Sequence, residues 1–211
     1  MTPRIPFTIS VFGLFLAIGL LFSQAQAAPD LEGAKKVVQK IADTGISEVI
    51  GADVSYDEKI ERFRKLFDTW FDMPAVSRFV LGRFWRTAPE EEQKRFIEQF
   101  RELNIYTWAQ RFNEYNGQKL VVTTATADGD GGAFVESQIE REAAKPMVVL
   151  WRLRLRGSEW KVVDLSIEGV SMAITFRSEY AAKLSEPGAS VASLNALIAA
   201  QSRQLSSQTR R

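Results

Sequence analysis

The chain has 211 residues, with 27 Lys and Arg against 26 Asp and Glu and a formal net charge of +1. A balance this close to zero is a poor match to nucleic acid or to nonspecific attraction by anionic membranes. The absence of both Cys and His excludes disulfides and thiol chemistry, and it removes the commonest general base, the usual catalytic triads and most zinc sites.

Residues 1–27 read as a secretory signal. Arg4 precedes an apolar run from Val11 to Phe22, and Ala25-Gln26-Ala27 supplies an A-x-A cleavage site. That run of about twelve residues is shorter than the roughly 20 that a spanning helix needs, so cleavage after Ala27 is expected rather than anchoring. Loss of Arg4 leaves 27 − 1 = 26 basic residues against 26 acidic ones. Residues 28–205 then suit one domain with a real core.

Apolar residues from Leu31 to Ile50, among them Ala34, Val38, Ile41 and Val49, fall on one helix face, with Gly45 a weak point. Ser55-Tyr56-Asp57-Glu58 is a capping-box pattern that opens a second helix, striped by Ile60, Phe63, Phe67 and Trp70-Phe71. Met73-Pro74 restarts a short helix through Leu81, stopped by Gly82. Thr87-Ala88-Pro89-Glu90 reads as another capping box. It opens a helix to about Asn116-Gly117, with an aromatic stripe of Phe96, Phe100, Trp108, Phe112 and Tyr115.

From Lys119 the period changes to two. Strands are expected over Leu120–Ala127, Ala133–Glu142, Met147–Arg156 and Trp160–Leu165, the first two joined by the tight-turn sequence Asp128-Gly129-Asp130-Gly131-Gly132. That turn is acidic and glycine-rich, but it lacks the spaced ligands and closing Glu of a calcium loop. In the third strand Met147, Val149, Trp151, Leu153 and Leu155 share one face, and Arg152, Arg154 and Arg156 the other. Glu136, Glu140 and Glu142 on the preceding strand are expected to pair with those arginines. Parity places Trp160, Val162 and Asp164 on one face of the last strand. A helix follows, with Met172, Phe176 and Tyr180 spaced four apart and Ser171 or Glu168 available to cap it. Ser190–Leu205 forms a last helix, and residues 206–211 read as a disordered tail.

Helices, then a meander, then helices again define an α+β domain. Its antiparallel curved sheet has about four to five strands, with helices on one face. Large aromatics on both sides, such as Trp151 on the sheet and Trp108 and Phe112 on a helix, prop open a cavity as readily as they fill a core. No G-x-S-x-G, P-loop or G-x-G-x-x-G motif is present.

Two stretches, in this order, resemble one family. Phe79-Val80-Leu81-Gly82-Arg83-Phe84-Trp85-Arg86 is similar to an LGxxWR element, and WKVVDLSIEGVSMAITFRSEY, from Trp160 to Tyr180, to a C-terminal signature. Both belong to the periplasmic phospholipid-binding proteins of Mla-type transport systems, also called toluene-tolerance proteins. The resemblance implies a soluble shuttle whose sheet and helices enclose an apolar pocket, with acyl chains inside it and the headgroup toward solvent, and no cofactor beyond its lipid cargo. It also implies two partners, an inner-membrane ABC-type lipid transport complex and an outer-membrane lipoprotein. A sibling branch accompanies hopanoid synthesis loci, so phospholipid and hopanoid both stay open as cargo. By position in the motifs, Phe79, Val80, Phe84 and Trp85, then Val170, Met172 and Ile174, are candidates for the pocket wall. Trp151 and Leu153 are added from strand parity. Arg83, Arg86 and Arg177 are candidates to meet a lipid phosphate. Two rival readings remain: a small cavity enzyme using Asp164 with Tyr106 or Tyr115, and a purely structural periplasmic adaptor.

Overall fold

The computed structural model describes residues 30–208, apart from 130 and 142–143. The expected signal segment 1–27, Glu142 and the end of the expected tail lie outside these residues. The first helix, α1 (Leu31–Thr44), is capped by the Asp30 carboxylate, which accepts from the Gly33 amide at 2.8 Å. At the weak point Gly45 the winding widens to a π-helical turn, Gly45–Ile50. Helix α2 (Tyr56–Trp70) starts on the expected Ser55 cap, whose hydroxyl accepts from the Glu58 amide. Asp72 caps α3 (Met73–Leu81), with Pro74 in its first turn. Gly82, at φ +54°, then turns the chain into the short helix α4 (Arg83–Thr87), and the Arg177 guanidinium rests against the space a Cβ would occupy. Helix α5 (Glu90–Ala109) has Pro89 as its N-cap residue, so the expected Thr87 cap is not formed. The Thr87 hydroxyl donates instead to the Phe84 carbonyl. The turn Gln110–Glu114 continues α5 as a 3-10 helix.

The sheet is antiparallel and follows chain order: β1 (Leu120–Ala127), β2 (Gly132–Ile139), β3 (Met147–Arg156), β4 (Glu159–Ile167) and β5 (Val170–Ser171). Ser171 caps α6 (Met172–Leu184), its hydroxyl accepting from the Ile174 amide. The last helix, α7 (Val191–Gln208), runs three residues past its expected end at Leu205. The α+β architecture with an antiparallel open sheet is therefore as the sequence predicts.

Two features of the sheet differ from strand parity. A β-bulge lets Leu153 pair with Val162 while Arg152 pairs with Asp164, so Val163 is an extra residue. One inserted residue flips every later side chain. Asp164 consequently lies on the arginine face of the sheet, opposite Val162, and Leu165 moves to the apolar face. Secondly, the arginines do not pair with Glu136 or Glu140. The register sets Arg152 beside Phe134 and Arg154 beside Gly132, and the ion pairs go to Asp128 and Asp72. Glu136 is engaged by the Thr123 hydroxyl, and Glu140 lies past the end of β2.

Packing divides into two cores that share Phe63 and Phe71. The first lies among the helices, around Phe96, Phe100, Tyr180, Leu194 and Ile198. The second lies between the apolar face of the sheet and α1, where Val149, Trp151, Leu153, Trp160 and Val162 meet Ala34, Val38 and Ile41. The helix lying on this face of the sheet is thus α1, not the aromatic α5. The Trp151 indole donates to the Ser137 hydroxyl at 2.8 Å, which satisfies its polar atom inside that core.

Candidate functional site

Between the two cores, where β4 approaches the helices, lies an apolar cavity of about 290 Å³. Each wall comes from a different element. Helix α2 contributes Phe67, and Phe71 just past its end; α3 contributes Met73 and Val76. Helix α5 contributes Phe100, Asn104, Thr107 and Trp108, with Arg111 from the turn that follows. Strand β4 brings Val163, Asp164, Leu165 and Ile167, and α6 brings Met172, Ala173 and Phe176. The rings are ordered against one another. Phe67 and Phe71 stack at 4.1 Å between centroids, and Phe100 meets Phe176 edge-on at 5.0 Å. The polar side chains of α5 are turned back onto their own helix, Asn104 donating to the Phe100 carbonyl and Thr107 to the Leu103 carbonyl, each at 2.7 Å. Each thus directs a donor onto its own helix, and most of the rest of the cavity wall is aromatic or aliphatic.

The bulge explains why β4 supplies four wall residues in near succession. It brings Val163 and Asp164 to the side of the sheet facing α3 and α6, and Leu165 and Ile167 line the cavity further along the strand. Asp164 acts as a fastener. Its carboxylate accepts from its neighbour Leu165 N at 2.8 Å, from Ser171 Oγ at 2.5 Å and from Ala173 N at 2.9 Å. It therefore ties the N-terminus of α6 to β4, where the helix dipole favours a negative charge. With three donors aimed at it, this carboxylate is a structural acceptor. Tyr106, its suggested phenolic partner, lines separate polar hollows beside Ser55 and beside Ser202, and Tyr115 does not line the cavity. Among the described residues no cluster of acidic side chains has the makings of a metal site.

A second cleft of about 260 Å³ lies on the other side of a wall shared with the first, formed by Val76, Val163, Asp164 and Ala173. It is lined further by Ala75, Phe79 and Ile174 and by the three arginines of β3.

Of the residues expected at the pocket wall, Met172 lines the apolar cavity, and Phe79 and Ile174 line the arginine cleft. The others do not line either. Val80 is buried in the helical core, and Phe84 and Trp85 pack on that core from outside. Val170 is exposed at 55%. Trp151 and Leu153 fill the core under α1, because parity identifies a buried face without identifying its cover. Arg177 donates to the Phe79 carbonyl at 2.8 Å, Arg83 reaches the Ser185 hydroxyl at 3.4 Å, and Arg86 is exposed; none of the three lines the cavity. Phe67, Phe71 and Phe100 stand out in the sequence only as helix stripes, a pattern that ordinary core explains equally well. The separate signal for Val163 is the bulge, which no residue pattern announces.

Fold and site define an α+β domain organised around an apolar ligand-sized cavity. The family model described as MlaC protein matches residues 37–200, most of the chain, and this chain belongs to that family. The toluene tolerance protein ttg2D of Pseudomonas putida is 26% identical over 118 residues, 56% of this chain and 55% of its own length. The intermembrane phospholipid transport system binding protein MlaC of Haemophilus influenzae is 26% identical over 177 residues, 79% of each chain. A solved structure of the phospholipid-binding protein from Ralstonia solanacearum, in complex with a phospholipid, superposes with a TM-score of 0.69. It covers 85% of this chain and 99% of its own at 22% identity, a likeness of fold.

Proposed function

We propose that this protein is a periplasmic phospholipid carrier that holds acyl chains in the cavity between β4 and helices α2, α3, α5 and α6. The observation that carries the reading is that cavity. Its walls are mainly aromatic and aliphatic, its lining Asn104, Thr107 and Asp164 hydrogen-bond within the protein, and it lies in a chain of a family whose relatives are described as phospholipid-binding. At about 0.8 kcal/mol per buried CH₂, one 16-carbon chain is worth on the order of 12 kcal/mol against free water. Binding of this kind needs no chemical step, and the proposal is of a carrier rather than an enzyme. Export with cleavage near Ala27, loading or unloading at an inner-membrane ABC-type complex, and exchange with an outer-membrane lipoprotein complete the proposed route.

The test is native mass spectrometry of the mature protein purified from its own envelope, followed by organic extraction. A stoichiometric adduct that extracts as phospholipid is the expected result. A hopanoid adduct keeps the mechanism and changes the cargo. A bare protein mass, unchanged after incubation with phospholipid vesicles, overturns the carrier reading.

A further inference from the structure

The arginine face of β3 has no role in an acyl-chain pocket, yet it is built with care. Arg152 donates to Asp128 Oδ2 at 2.5 Å, and Arg154 reaches the same oxygen at 2.9 Å and the Asp128 carbonyl at 2.5 Å. Arg156 donates to Asp72 Oδ2 at 2.5 Å. The acidic, glycine-rich turn after β1 is therefore a seat for two guanidinium groups. Gly132 is part of that seat, since a Cβ there would fall 1.4 Å from Arg154 Nη1. Three guanidinium groups share two carboxylates, and one carboxylate serves both Arg152 and Arg154. Asp164, the acid that lines the cleft itself, stands across from Arg152 in register but accepts from β4 and α6 donors. Arg152 Nη1 and both terminal nitrogens of Arg156 have no hydrogen-bond partner among the described residues. A guanidinium carries five donors in a fixed fork, and that fork matches phosphate oxygens.

A surface ion-pair network explains the pairs but not their neighbours. The same cleft carries Phe79 and Ile174, exposed at 40% and 57%. The Arg177 guanidinium lies over the Phe79 ring at 4.8 Å, so one face of that ring is covered and the rest, with Ile174, stays exposed. Guanidinium groups on one side and partly exposed apolar side chains on the other fit an amphiphile better than a soluble anion. The cleft also shares Val76, Val163, Asp164 and Ala173 with the apolar cavity, so the two hollows are adjacent. We infer that the cleft formed by Arg152, Arg154, Arg156, Phe79 and Ile174 seats the phosphodiester and glycerol of the lipid whose chains occupy the cavity. This rests on the carrier reading above and adds a site that recognises the headgroup phosphate. Asp128 and Asp72 act as positioning residues that hold the forks open toward the ligand.

The test is competitive loading of the delipidated full chain from detergent micelles. The micelles contain equal amounts of dioleoyl phosphatidylglycerol and dioleoylglycerol, which share their chains and differ by the phosphodiester headgroup. Native mass spectrometry reads the ratio of the two adducts. The wild type should favour the phospholipid roughly tenfold, the scale of a charge-assisted contact. Arg156→Gln, and separately Asp128→Asn with Arg152→Gln and Arg154→Gln, should bring the ratio toward one while total loading of acyl chains persists. The combined variant removes partners together and leaves no carboxylate unpaired, so the fold survives. A wild-type ratio near one, or variants that keep the wild-type ratio, overturns the headgroup site and leaves the carrier reading intact. Loading of neither lipid overturns both. Titration with deacylated glycerophosphoglycerol separates the lipid from a free phosphate ester. Binding of that soluble headgroup as tightly as the lipid overturns the assignment to a lipid, whereas weak or absent binding supports it.

Discussion

Met172 and Leu153 lie on opposite sides of the division between cavity and core, and the same kind of damage should have opposite consequences at each. Met172 is half-buried in the first turn of α6, with its side chain on the cavity wall. An arginine there turns its guanidinium out to solvent while its longer stem obstructs the apolar hollow. Met172→Arg should keep its helical circular dichroism and lose phospholipid retention by roughly tenfold or more. Leu153 is fully buried beneath α1. Leu153→Ala should cost about 2–5 kcal/mol in denaturant unfolding while lipid per folded molecule stays the same. Retained lipid in the first variant, or lost lipid in a folded second variant, would reverse the division drawn between the two sites. The sequence made Met172 legible through its place in a motif. It made Leu153 legible as buried, by alternation, but alternation does not say which helix lies above. Asp164 was misplaced by the same rule, because a single bulge residue, Val163, reverses parity for the rest of β4.

Helices α2 and α5 are held together by an ion pair with its own pH signature. Arg64 on α2 binds Glu102 on α5 through two hydrogen bonds, of 3.1 and 2.7 Å, and Arg101 adds a third at 3.2 Å. Burial alone pushes the Glu102 carboxyl up, but Arg64 and then Arg101 outweigh it and hold the group below its ordinary 4.5. A carboxyl whose folded pKa is depressed stabilises the fold fully above its unfolded value, and that contribution drains away as pH falls through the folded value. Glu102→Gln should therefore lower stability by about 1–3 kcal/mol at neutral pH. The gap between wild type and variant should narrow progressively below pH 4.5 in urea titrations. A gap that stays constant down to acid unfolding would show that the pair contributes packing rather than charge. Element boundaries were largely legible where a local chemical signal sets them. Ser55, Ser171 and the Gly45 weak point all act where the sequence places them. Thr87 failed as a cap because Pro89, two residues on, takes that position. The arginine partners were missed because register follows from the whole hairpin, and local charge order does not reveal it.

For the whole molecule, the decisive quantity is how the cavity compares with its proposed cargo. At about 290 Å³ it stands just below the roughly 300–1,000 Å³ typical of small-ligand sites. A phospholipid brings two acyl chains. Full occupancy thus requires β4 and its helices to part, and the fastener at Asp164 joins two of the elements concerned, β4 and α6. Release into water is the harder direction. One chain held by about 12 kcal/mol corresponds to a dissociation constant near nanomolar. With association at about 10⁵–10⁷ M⁻¹s⁻¹, release takes place at on the order of 10⁻⁴–10⁻² s⁻¹, and a second chain slows it further. Protein loaded with a fluorescent phospholipid and mixed with acceptor vesicles alone should accordingly exchange over minutes to hours, at a rate independent of vesicle concentration. Escape into water, before any membrane is met, would be the limiting step. Asp164→Ala, which removes the tie between β4 and α6, should accelerate that rate without making it depend on vesicles. A wild-type rate that reaches seconds and climbs with vesicle concentration would mean that the bilayer itself opens the cavity. Docking on a protein partner would then be unnecessary for transfer.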